Sequence, residues 1–320
     1  MGVRAFLRRV MGAQSSSALA DQNLRDMQYS IEYLTLEVSR LRSLVRYLSA
    51  DVINNLPITY RTRESFDYQW RDSPDGNWTE TRPELKLREP SLVTQYTKLP
   101  REWFKNKMIL DAGCGSGRFS WAMASMGAMA SMGAMASMGA MASMGAMVHA
   151  VDQSEAGVLH TKNSCAEFGD KVAVLQHDLT QPLPFGAEFD LVWSHGVLHH
   201  TGNTFGAFSN ISRLVKPGGY IFVMLYGEPT GRDPGEFAYY AEVETLRRET
   251  CTMSFSERYE FLSKLKGADV GGWFDAVSPT INDTYSYYEI ALWLLQNGFE
   301  DIQRTMSASS HYVIARRRVD

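Results

Sequence analysis

The sequence predicts an α/β protein built on a parallel, doubly wound sheet. From residue 107 onward, short apolar segments alternate with segments of helical periodicity, which is typical of strand–helix–strand units. Two of the apolar segments end in an acidic residue. Asp111 ends the first and is followed by a glycine-rich turn, and Asp152 ends the second. The carboxyl ends of such strands form the edge where these sheets bind ligands.

The predicted elements follow one another in a regular order. Strands are predicted over residues 107–111, 147–152, 171–176, 188–194, 219–226, 299–305 and 310–316, and helices from about residue 117 and over 154–167, 203–214 and 285–297. Gly298 is placed to cap the last of these helices. Residues 227–284 interrupt the alternation, with helices expected at 235–249 and 255–265 and a loop from Trp273 to Tyr285.

The composition argues against several classes of protein. The net charge of -4 shows no excess of basic residues of the kind that binds nucleic acid, so we expect no nucleic-acid partner. Three scattered cysteines are too few for a disulfide framework or a metal cluster, so we expect a cytoplasmic protein without a metal. The amino-terminal apolar stretch is too short and too rich in arginine for a secretory signal. The uncharged stretch from Phe119 to Val151 is not expected to span a membrane, because its repeat contains no Leu, Ile, Val or Phe.

Residues 24–52 carry a heptad pattern of apolar side chains. The positions, spaced alternately by three and four, are Leu24, Met27, Ile31, Leu34, Val38, Leu41, Val45, Leu48 and Val52. This pattern favours a parallel two-stranded coiled coil, in which Glu37 and Arg42 would form a cross-chain ion pair. We therefore predict a homodimer through this segment; the alternative is a long amphipathic helix packed on its own domain. The helix is expected to end at Asn54 to Pro57, which makes residues 1–57 a separate segment.

Three glycines follow the first strand and precede a helix. Gly113, Gly115 and Gly117 permit positive φ angles and a close approach of a ligand to the backbone. The N–H groups at the start of the helix add donors. The spacing of these three glycines differs from the pattern G-x-G-x-x-G of dinucleotide-binding turns. In addition, the Asp111 carboxylate would repel a pyrophosphate, whereas it suits a cationic or zwitterionic ligand.

Two further carboxylates narrow the type of ligand. Asp152, at the end of the second strand, can accept hydrogen bonds from both hydroxyls of a ribose. Asp178, after the third strand, is placed to accept a hydrogen bond from the exocyclic amine of adenine. A ligand that contains a ribose and an adenine and that favours negative charge nearby fits S-adenosylmethionine better than NAD.

Five segments resemble, in order, the motifs of the class I S-adenosylmethionine-dependent methyltransferases, in particular the bacterial small-molecule group. They are Asp111–Gly117, Asp152 at the end of its strand, Asp178-Leu179, Phe189–Thr201 and Leu214–Tyr220. The resemblance covers about residues 105–226 and resumes at 285–316. It implies a Rossmann-like sheet of seven strands whose seventh strand is antiparallel, and S-adenosyl-L-methionine as the cofactor.

The motifs assign roles to particular residues. The expected cofactor-binding residues are Asp111, Gly113, Cys114, Gly115, Gly117, Asp152, Gln153, Asp178, Leu179, Ser194 and His195. His199 and His200 follow the fourth strand and are the candidate catalytic residues, because histidine exchanges protons near neutral pH. The alternative is that these two histidines only shape the wall of the pocket.

The resemblance also divides the chain into parts. Residues 58–226 and 285–320 are expected to form the methyltransferase domain. Residues 227–284 follow the fifth strand, where this family often carries a substrate lid, and we expect a helical lid insert there. Its aromatic segment Trp273–Pro279 is the candidate for contact with the substrate.

A tandem repeat lies inside the expected domain. The hexapeptide Met-Ala-Ser-Met-Gly-Ala occurs four times over residues 123–146. Removal of three copies would shorten the interval from Asp111 to Asp152 from 41 to 23 residues, the spacing normal for the resembled family. We expect a weakly ordered protrusion at the edge of the sheet opposite the cofactor loops.

The predicted function is methyl transfer to a small-molecule acceptor, such as a sugar, a lipid or a quinone-like compound. The sulfonium methyl group is already activated, so the protein mainly aligns the acceptor for an in-line displacement. A base is needed when the acceptor is a hydroxyl or an acidic carbon. The alternatives are an RNA or protein methyltransferase, and a non-catalytic coiled-coil scaffold that retains the fold.

Overall fold

The computed structural model describes residues 17–54, 58–73, 76–126, 146–229 and 234–319. The strands of this part are β1 (Met108–Ala112), β2 (Met147–Asp152), β3 (Val172–Gln176), β4 (Phe189–His195), β5 (Val215–Leu225), β6 (Phe299–Arg304) and β7 (His311–Arg317). They form one sheet in the order β3-β2-β1-β4-β5-β7-β6. The pairs among β1 to β5 are parallel, whereas β7 is antiparallel to both β5 and β6. The predicted seven-stranded sheet with its antiparallel seventh strand is therefore confirmed.

The central strands are buried on both faces of the sheet. Ile109 and Leu191 belong to one hydrophobic core, whereas their neighbours Leu110 and Val192 belong to a second core. Consecutive side chains of a strand point to opposite faces, so the two cores lie on the two sides of the sheet. This explains why β1 and β4 read as nearly continuous apolar runs in the sequence, as expected for parallel strands covered on both faces.

The described part of the chain contains the following α-helices. They are α1 (Ser17–Asn54), α2 (Ile58–Asp72), α3 (Trp78–Thr81), α4 (Leu85–Thr97), α5 (Arg118–Ser125), α6 (Glu155–Ser164), α7 (Thr204–Ser212), α8 (Pro234–Thr250), α9 (Phe255–Lys266), α10 (Val270–Val277) and α11 (Tyr287–Gln296). The prediction of a loop from Trp273 onward was wrong in its first part, because α10 continues to Val277. A buried apolar side of α10, which includes Val270 and Phe274, stabilises this extra helix.

Strand β5 begins earlier than the sequence indicated. Val215 pairs with Phe189, and pairing then resumes between Tyr220 and Leu191 after a shift in register. The intervening turn contains Gly218 at a φ of 76°, a conformation that favours glycine. The predicted turn into strand five is therefore an irregularity within β5.

The chain divides into two compact units. The first comprises Asn55–Glu228 and Ser254–Asp320 and contains the whole sheet; the second comprises Met1–Asn54 and Pro229–Met253. The predicted boundary at residue 284 therefore differs from the boundary of the units at Met253. The prediction of a lid over residues 227–284 stays a prediction.

In the second unit, α1 packs against α8. The Tyr29 ring lies 5.6 Å from the Phe237 ring, and the Tyr29 hydroxyl donates to the carbonyl of Pro229 at 2.7 Å. Leu36 is buried on the same side of α1. The heptad stripe lies elsewhere on this helix: Ile31 is 56% and Leu34 is 61% exposed. The long helix is as the heptad pattern indicates, and the coiled coil stays a prediction.

The tandem repeat is described only at its two ends. Met123 and Met126 are buried at the end of α5, and Ala146 is buried just before β2. The remainder of the repeat, including the expected protrusion, lies outside the described residues. Met147 pairs with Met108, the first residue of β1, so the connection returns to the sheet at the edge opposite the glycine turn. Among the helices in the described ranges, none has the length and apolar character needed to cross a membrane.

Candidate cofactor site

The glycine turn after β1 is fastened to the end of β2. The backbone N–H groups of Gly113 and Cys114 both donate to the carbonyl of Val151, at 2.8 and 3.0 Å. Gly113 has a φ of 92°, and a Cβ atom there would lie 2.3 Å from a methyl group of Val197. Gly115 has a φ of 53°, and its Cβ would lie 2.9 Å from the ring of Trp70. Both positions therefore require glycine for conformation and for space.

Asp152 holds the same turn from the second strand. Its Oδ2 accepts a hydrogen bond from the N–H of Gly115 at 2.8 Å, and its Oδ1 accepts from the N–H of Ser154 at 2.8 Å. Burial raises the pKa of Asp152 to about 6. A carboxylate oxygen can accept more than one hydrogen bond, so both oxygens can still accept from the hydroxyls of a ribose.

Asp111 lies behind the turn and does not line the cavity described below. It is 1% exposed, and its Oδ2 accepts a hydrogen bond from the Ser120 hydroxyl at 2.6 Å. Burial, more than any other cause, raises the pKa of Asp111 to about 7. Asp111 can therefore attract a cation in the cavity through its charge but is not placed to contact it.

Gly117 supports the turn from outside the cavity. It precedes α5 with a φ of 85°, and a Cβ there would lie 2.8 Å from the Cα of Thr161. The Thr161 hydroxyl donates to the carbonyl of Gly115 at 2.9 Å, so α6 packs closely against the turn. The third glycine thus serves packing between helix and turn.

A cavity of about 390 Å³ opens at the carboxyl ends of β1, β2, β4 and β5. This volume lies within the range of small-molecule sites, about 300 to 1,000 Å³. Of the predicted site residues, those lining it are Gly113, Cys114, Gly115, Asp152, Gln153, Asp178, Leu179, His195 and His200. The structure thus brings together residues from four of the five segments that carry the resemblance. Asp111, Gly117, Ser194 and His199 are not among its lining residues.

Asp178 and Leu179 form the turn after β3. Asp178 Oδ1 accepts hydrogen bonds from the N–H and the hydroxyl of Thr180, both at 2.8 Å. These bonds fix the carboxylate and leave its Oδ2 for a donor in the cavity. The N–H of His177 donates to the carbonyl of Asp152 at 2.9 Å, which holds this turn beside the end of β2.

Ser194 and His195 end β4 with different roles. The Ser194 hydroxyl is buried and donates to the carbonyl of Ala112 at 2.9 Å, which joins β4 to β1. His195 lines the cavity, and its Nε2 is buried without a hydrogen-bond partner in the described part of the chain. Burial, assisted by the charge of Arg118, lowers the pKa of His195 to about 3. The His195 imidazole is therefore neutral near pH 7.

The two candidate catalytic histidines differ in position. The Nδ1 of His200 lies 2.9 Å from the carbonyl of Ile281. A carbonyl only accepts, so Nδ1 donates and the lone pair of the neutral ring is on Nε2, which is the form a general base requires. His199 is fully buried against Tyr226, and burial moves its pKa well below the usual value. The structure places His200, but not His199, in the lining of the cavity.

Sequence reasoning missed several lining residues. Among them are Phe66 and Trp70, which come from α2. The spacing of four between Phe66 and Trp70 was the only signal, and it did not indicate a ligand site. The Ser154 hydroxyl donates to Asp67 Oδ1 at 2.5 Å, which fastens α2 to the start of α6 beside the cavity. Asp275 lies within the segment that was predicted to contact the substrate.

Residues 104–254 match a family model described as a methyltransferase domain. Ubiquinone biosynthesis O-methyltransferase from Dechloromonas aromatica is 32% identical over 120 residues, which are 37% of this chain and 43% of that protein. The enzyme of the same description from Pseudomonas paraeruginosa is 26% identical over 207 residues, 60% of this chain and 75% of that protein.

A solved structure of magnesium protoporphyrin IX methyltransferase from Synechocystis with bound S-adenosylmethionine has 17% identity and a TM-score of 0.46. The similarity covers 82% of this chain and 98% of that one. The match of the chain spans less than half of the Dechloromonas protein. The chain is therefore similar to methyltransferases over residues 104–254, which make up slightly less than half of its length.

Proposed function

We propose that this chain transfers a methyl group from S-adenosylmethionine to a hydroxyl of a small molecule bound in the cavity. One observation carries the proposal: His200, whose Nδ1 lies 2.9 Å from the carbonyl of Ile281, lines the same cavity as the glycine turn and Asp152. A cofactor loop and a proton acceptor at one cavity are what O-methylation requires.

The residues present fit S-adenosylmethionine. Gly113 and Gly115 leave space beside the backbone that a Cβ would fill, and Asp152 offers two acceptor oxygens at the end of β2. Asp178 would bind the adenine amine. The buried charge of Asp111 favours the cationic end of the cofactor. Gln153 and Leu179 complete the wall on the adenosine side.

When bound, S-adenosylmethionine supplies an activated methyl group. His200 Nε2 would take the proton that the acceptor hydroxyl loses when its oxygen receives this methyl group. The carbonyl of Ile281 holds the His200 ring in the required tautomer and stabilises the imidazolium that forms. Phe66, whose ring centre lies 5.1 Å from that of His200, limits the rotation of the imidazole.

The acceptor is proposed to be a compound with an apolar, flat body, such as a quinone-like phenol. Phe66, Trp70 and Tyr226 line the cavity and offer aromatic faces to such a ring. The names of the sequence relatives, ubiquinone biosynthesis O-methyltransferases, support the same class of acceptor. A sugar or lipid hydroxyl is the other small-molecule option. Asp275 would contact the acceptor from α10.

The experiment is a screen of candidate acceptors for release of S-adenosylhomocysteine, preceded by calorimetry with S-adenosylhomocysteine alone. Binding of that product and turnover with a phenolic acceptor would support the proposal. Binding without turnover on small molecules, together with methylation of RNA or protein, would contradict the acceptor class. Absence of any binding would favour the non-catalytic scaffold.

We propose in addition that the chain forms a homodimer through residues 24–52 and acts in the cytoplasm. The exposed apolar stripe of α1, which includes Ile31 and Leu34, supports the homodimer. The free thiols of Cys114, Cys165 and Cys251 support a reducing compartment.

A further inference from the structure

Helix α2 faces the cavity with side chains spaced by four residues. Thr62, Phe66 and Trp70 follow this spacing, so they lie on one face of the helix. The Trp70 ring packs against the glycine turn, since a Cβ on Gly115 would lie 2.9 Å from it. The Phe66 ring centre lies 5.1 Å from that of His200, with the two planes inclined at 63°. This face of α2 therefore joins the glycine turn to the candidate base.

Thr62 reaches His200 through the backbone of Ile281. The N–H of Ile281 donates to the Thr62 hydroxyl oxygen at 3.1 Å, and the carbonyl of Ile281 lies 2.9 Å from His200 Nδ1. Thr62 is 1% and Ile281 is 8% exposed, so both groups are shielded from water. The backbone of Ile281 is thus held on one side by Thr62 and holds the His200 imidazole on the other.

The chain beyond Ile281 is tied to the same loop by a separate bond. The N–H of Asp283 donates to the carbonyl of His199 at 3.0 Å. That bond fixes the segment after Ile281, whereas the bond to Thr62 fixes the N–H of Ile281 itself. A buried N–H that loses its acceptor is costly, so without the Thr62 hydroxyl we expect the backbone of Ile281 to shift. Its carbonyl would then move relative to the imidazole.

The position of this carbonyl matters because of the chemistry of a neutral imidazole. One of its two nitrogens carries the proton, and the hydrogen bond made by one nitrogen decides the state of the other. A carbonyl that accepts from Nδ1 of His200 leaves Nε2 unprotonated. General-base catalysis at Nε2 requires this tautomer.

We propose that Thr62 is a positioning residue for His200: its hydroxyl fixes the backbone of Ile281, whose carbonyl selects the Nδ1–H tautomer. The catalytic consequence rests on the proposed function, whereas the tautomer is a property of the free protein. Thr62 does not line the cavity, so it acts without touching the cofactor or the acceptor. Two measurements therefore test the two parts separately.

The first test determines the tautomer by nitrogen NMR of the full chain with isotopically labelled histidine. It is done without cofactor at about pH 8, where an ordinary imidazole is neutral. The signals of His200 are those that disappear in His200→Gln. In the wild type they should show a protonated Nδ1 and an unprotonated Nε2. Thr62→Val removes the hydroxyl and keeps the branched shape, and the signals should shift toward a mixture of both tautomers. Thr62→Ser should restore the wild-type pattern.

The second test is kinetic and uses the acceptor found in the screen. In Thr62→Val, kcat should fall by about 3- to 10-fold, the effect of losing one neutral hydrogen bond. The KM for the acceptor and the affinity for S-adenosylhomocysteine should stay within about twofold of wild type, because Thr62 contacts neither ligand. Thr62→Ser should recover kcat to within about twofold of wild type.

Thr97→Val is the matched control. Thr97 is also 1% exposed, and its hydroxyl oxygen accepts a hydrogen bond from the N–H of Leu99 at 3.2 Å, but it does not line the cavity. The variant therefore makes the same chemical change at another buried threonine, at the end of α4. The His200 signals, kcat and the affinity for S-adenosylhomocysteine should all equal those of the wild type.

Unchanged His200 signals in Thr62→Val would overturn the inference. A loss of S-adenosylhomocysteine affinity as large as the loss of kcat, or the same changes in Thr97→Val, would also overturn it, because either would indicate a structural role only. A shift of the tautomer in Thr62→Val that Thr62→Ser reverses supports the inference. If this shift occurs in a chain that turns over no acceptor, the proposed function fails while the positioning of His200 by Thr62 stands.

Discussion

The backbone N–H of Gly115 donates to Oδ2 of Asp152 at 2.8 Å. This bond makes the carboxylate proposed to hold the ribose also the anchor of the glycine turn. Asp152→Asn keeps the size of the side chain but loses the charge and one acceptor. We expect the affinity for S-adenosylhomocysteine to fall by about 10- to 100-fold, since hydrogen bonds to charged groups contribute roughly 1.5 to 3 kcal/mol. Calorimetry measures this loss.

Asp170→Asn is the control for Asp152→Asn, because Asp170 is exposed and does not line the cavity. Its affinity for S-adenosylhomocysteine should equal that of wild type. An Asp152→Asn protein that is folded by circular dichroism and binds with wild-type affinity would contradict the ribose-binding role.

Cofactor binding should depend on pH through Asp152. Burial raises the pKa of Asp152 in the free protein to about 6. The ionised carboxylate accepts hydrogen bonds from the ribose, so protonation removes an acceptor and the attraction for the cationic cofactor. The affinity for S-adenosylmethionine should therefore decrease as the pH falls through about 6. Fluorescence titration over this range checks the trend, and Asp152→Asn should flatten it.

Asp111 is expected to decrease the stability of the free protein at neutral and alkaline pH. Burial raises its pKa to about 7, so the folded state binds its proton more tightly than the unfolded state does. Below about pH 4, Asp111 is protonated in both states and its stabilising contribution is fully present. The free energy of unfolding then decreases as the pH rises from about 4 through 7.

Asp111→Asn removes the buried charge and keeps an acceptor for the Ser120 hydroxyl. At pH 8 we expect the variant to be more stable by roughly 2 kcal/mol, or about 4–8 °C in Tm, and at pH 4 we expect the difference to vanish. Thermal unfolding without cofactor measures both. The same variant should bind S-adenosylmethionine more weakly. A lower Tm at pH 8 would contradict this assignment.

His200 and His199 should respond differently to substitution. His200→Gln removes the proposed base from the cavity, and we expect kcat to fall by about 100-fold or more while the affinity for S-adenosylhomocysteine stays near wild type. His199 does not line the cavity, and its buried ring nitrogens have no partners in the described chain.

His199→Phe, which keeps a ring against Tyr226, should therefore retain most of kcat. Steady-state kinetics on the acceptor found in the screen, over a range of pH, compares the two variants. A larger loss of kcat in the His199 variant than in the His200 variant would contradict the assignment.

The exposed stripe of α1 predicts self-association. Ile31 and Leu34 are more than half exposed although the opposite side of the helix packs against α8. The double substitution Ile31→Lys, Leu34→Lys places charges in the predicted seam and should convert a dimer to a monomer in light scattering. Glu32→Lys, on the exposed side of the same helix but outside the stripe, should leave the dimer intact. A monomeric wild-type chain would contradict the prediction.

The sequence was most informative where local patterns determine structure. The strands around Leu110 and Val192 read correctly because burial on both faces produces continuous apolar runs. The glycine turn and Asp152 could be placed together because both follow neighbouring parallel strands, whose carboxyl ends meet at one edge of the sheet. His200 could be placed near the edge of the sheet, but its distinction from His199 could not be predicted, since it depends on the carbonyl of Ile281.

The rest of the site is assembled by tertiary packing. Trp70 and Asp275 reach the cavity from helices that lie far apart in the sequence, and no local pattern links them to β1. Glu89 looks like an ordinary surface residue beside a proline, yet it is buried against Arg118. The helix α10 was missed because its residues from Trp273 onward resemble a loop in composition. The packing of Phe274 overrides that tendency.

The central claim is that one cavity holds S-adenosylmethionine beside a small acceptor whose proton passes to His200. The most direct measurement is the release of S-adenosylhomocysteine by the purified chain with a panel of phenolic acceptors. We predict release that depends on the acceptor, and loss of this release in His200→Gln with cofactor binding retained. Cofactor binding with no acceptor-dependent release from any small molecule would contradict the claim.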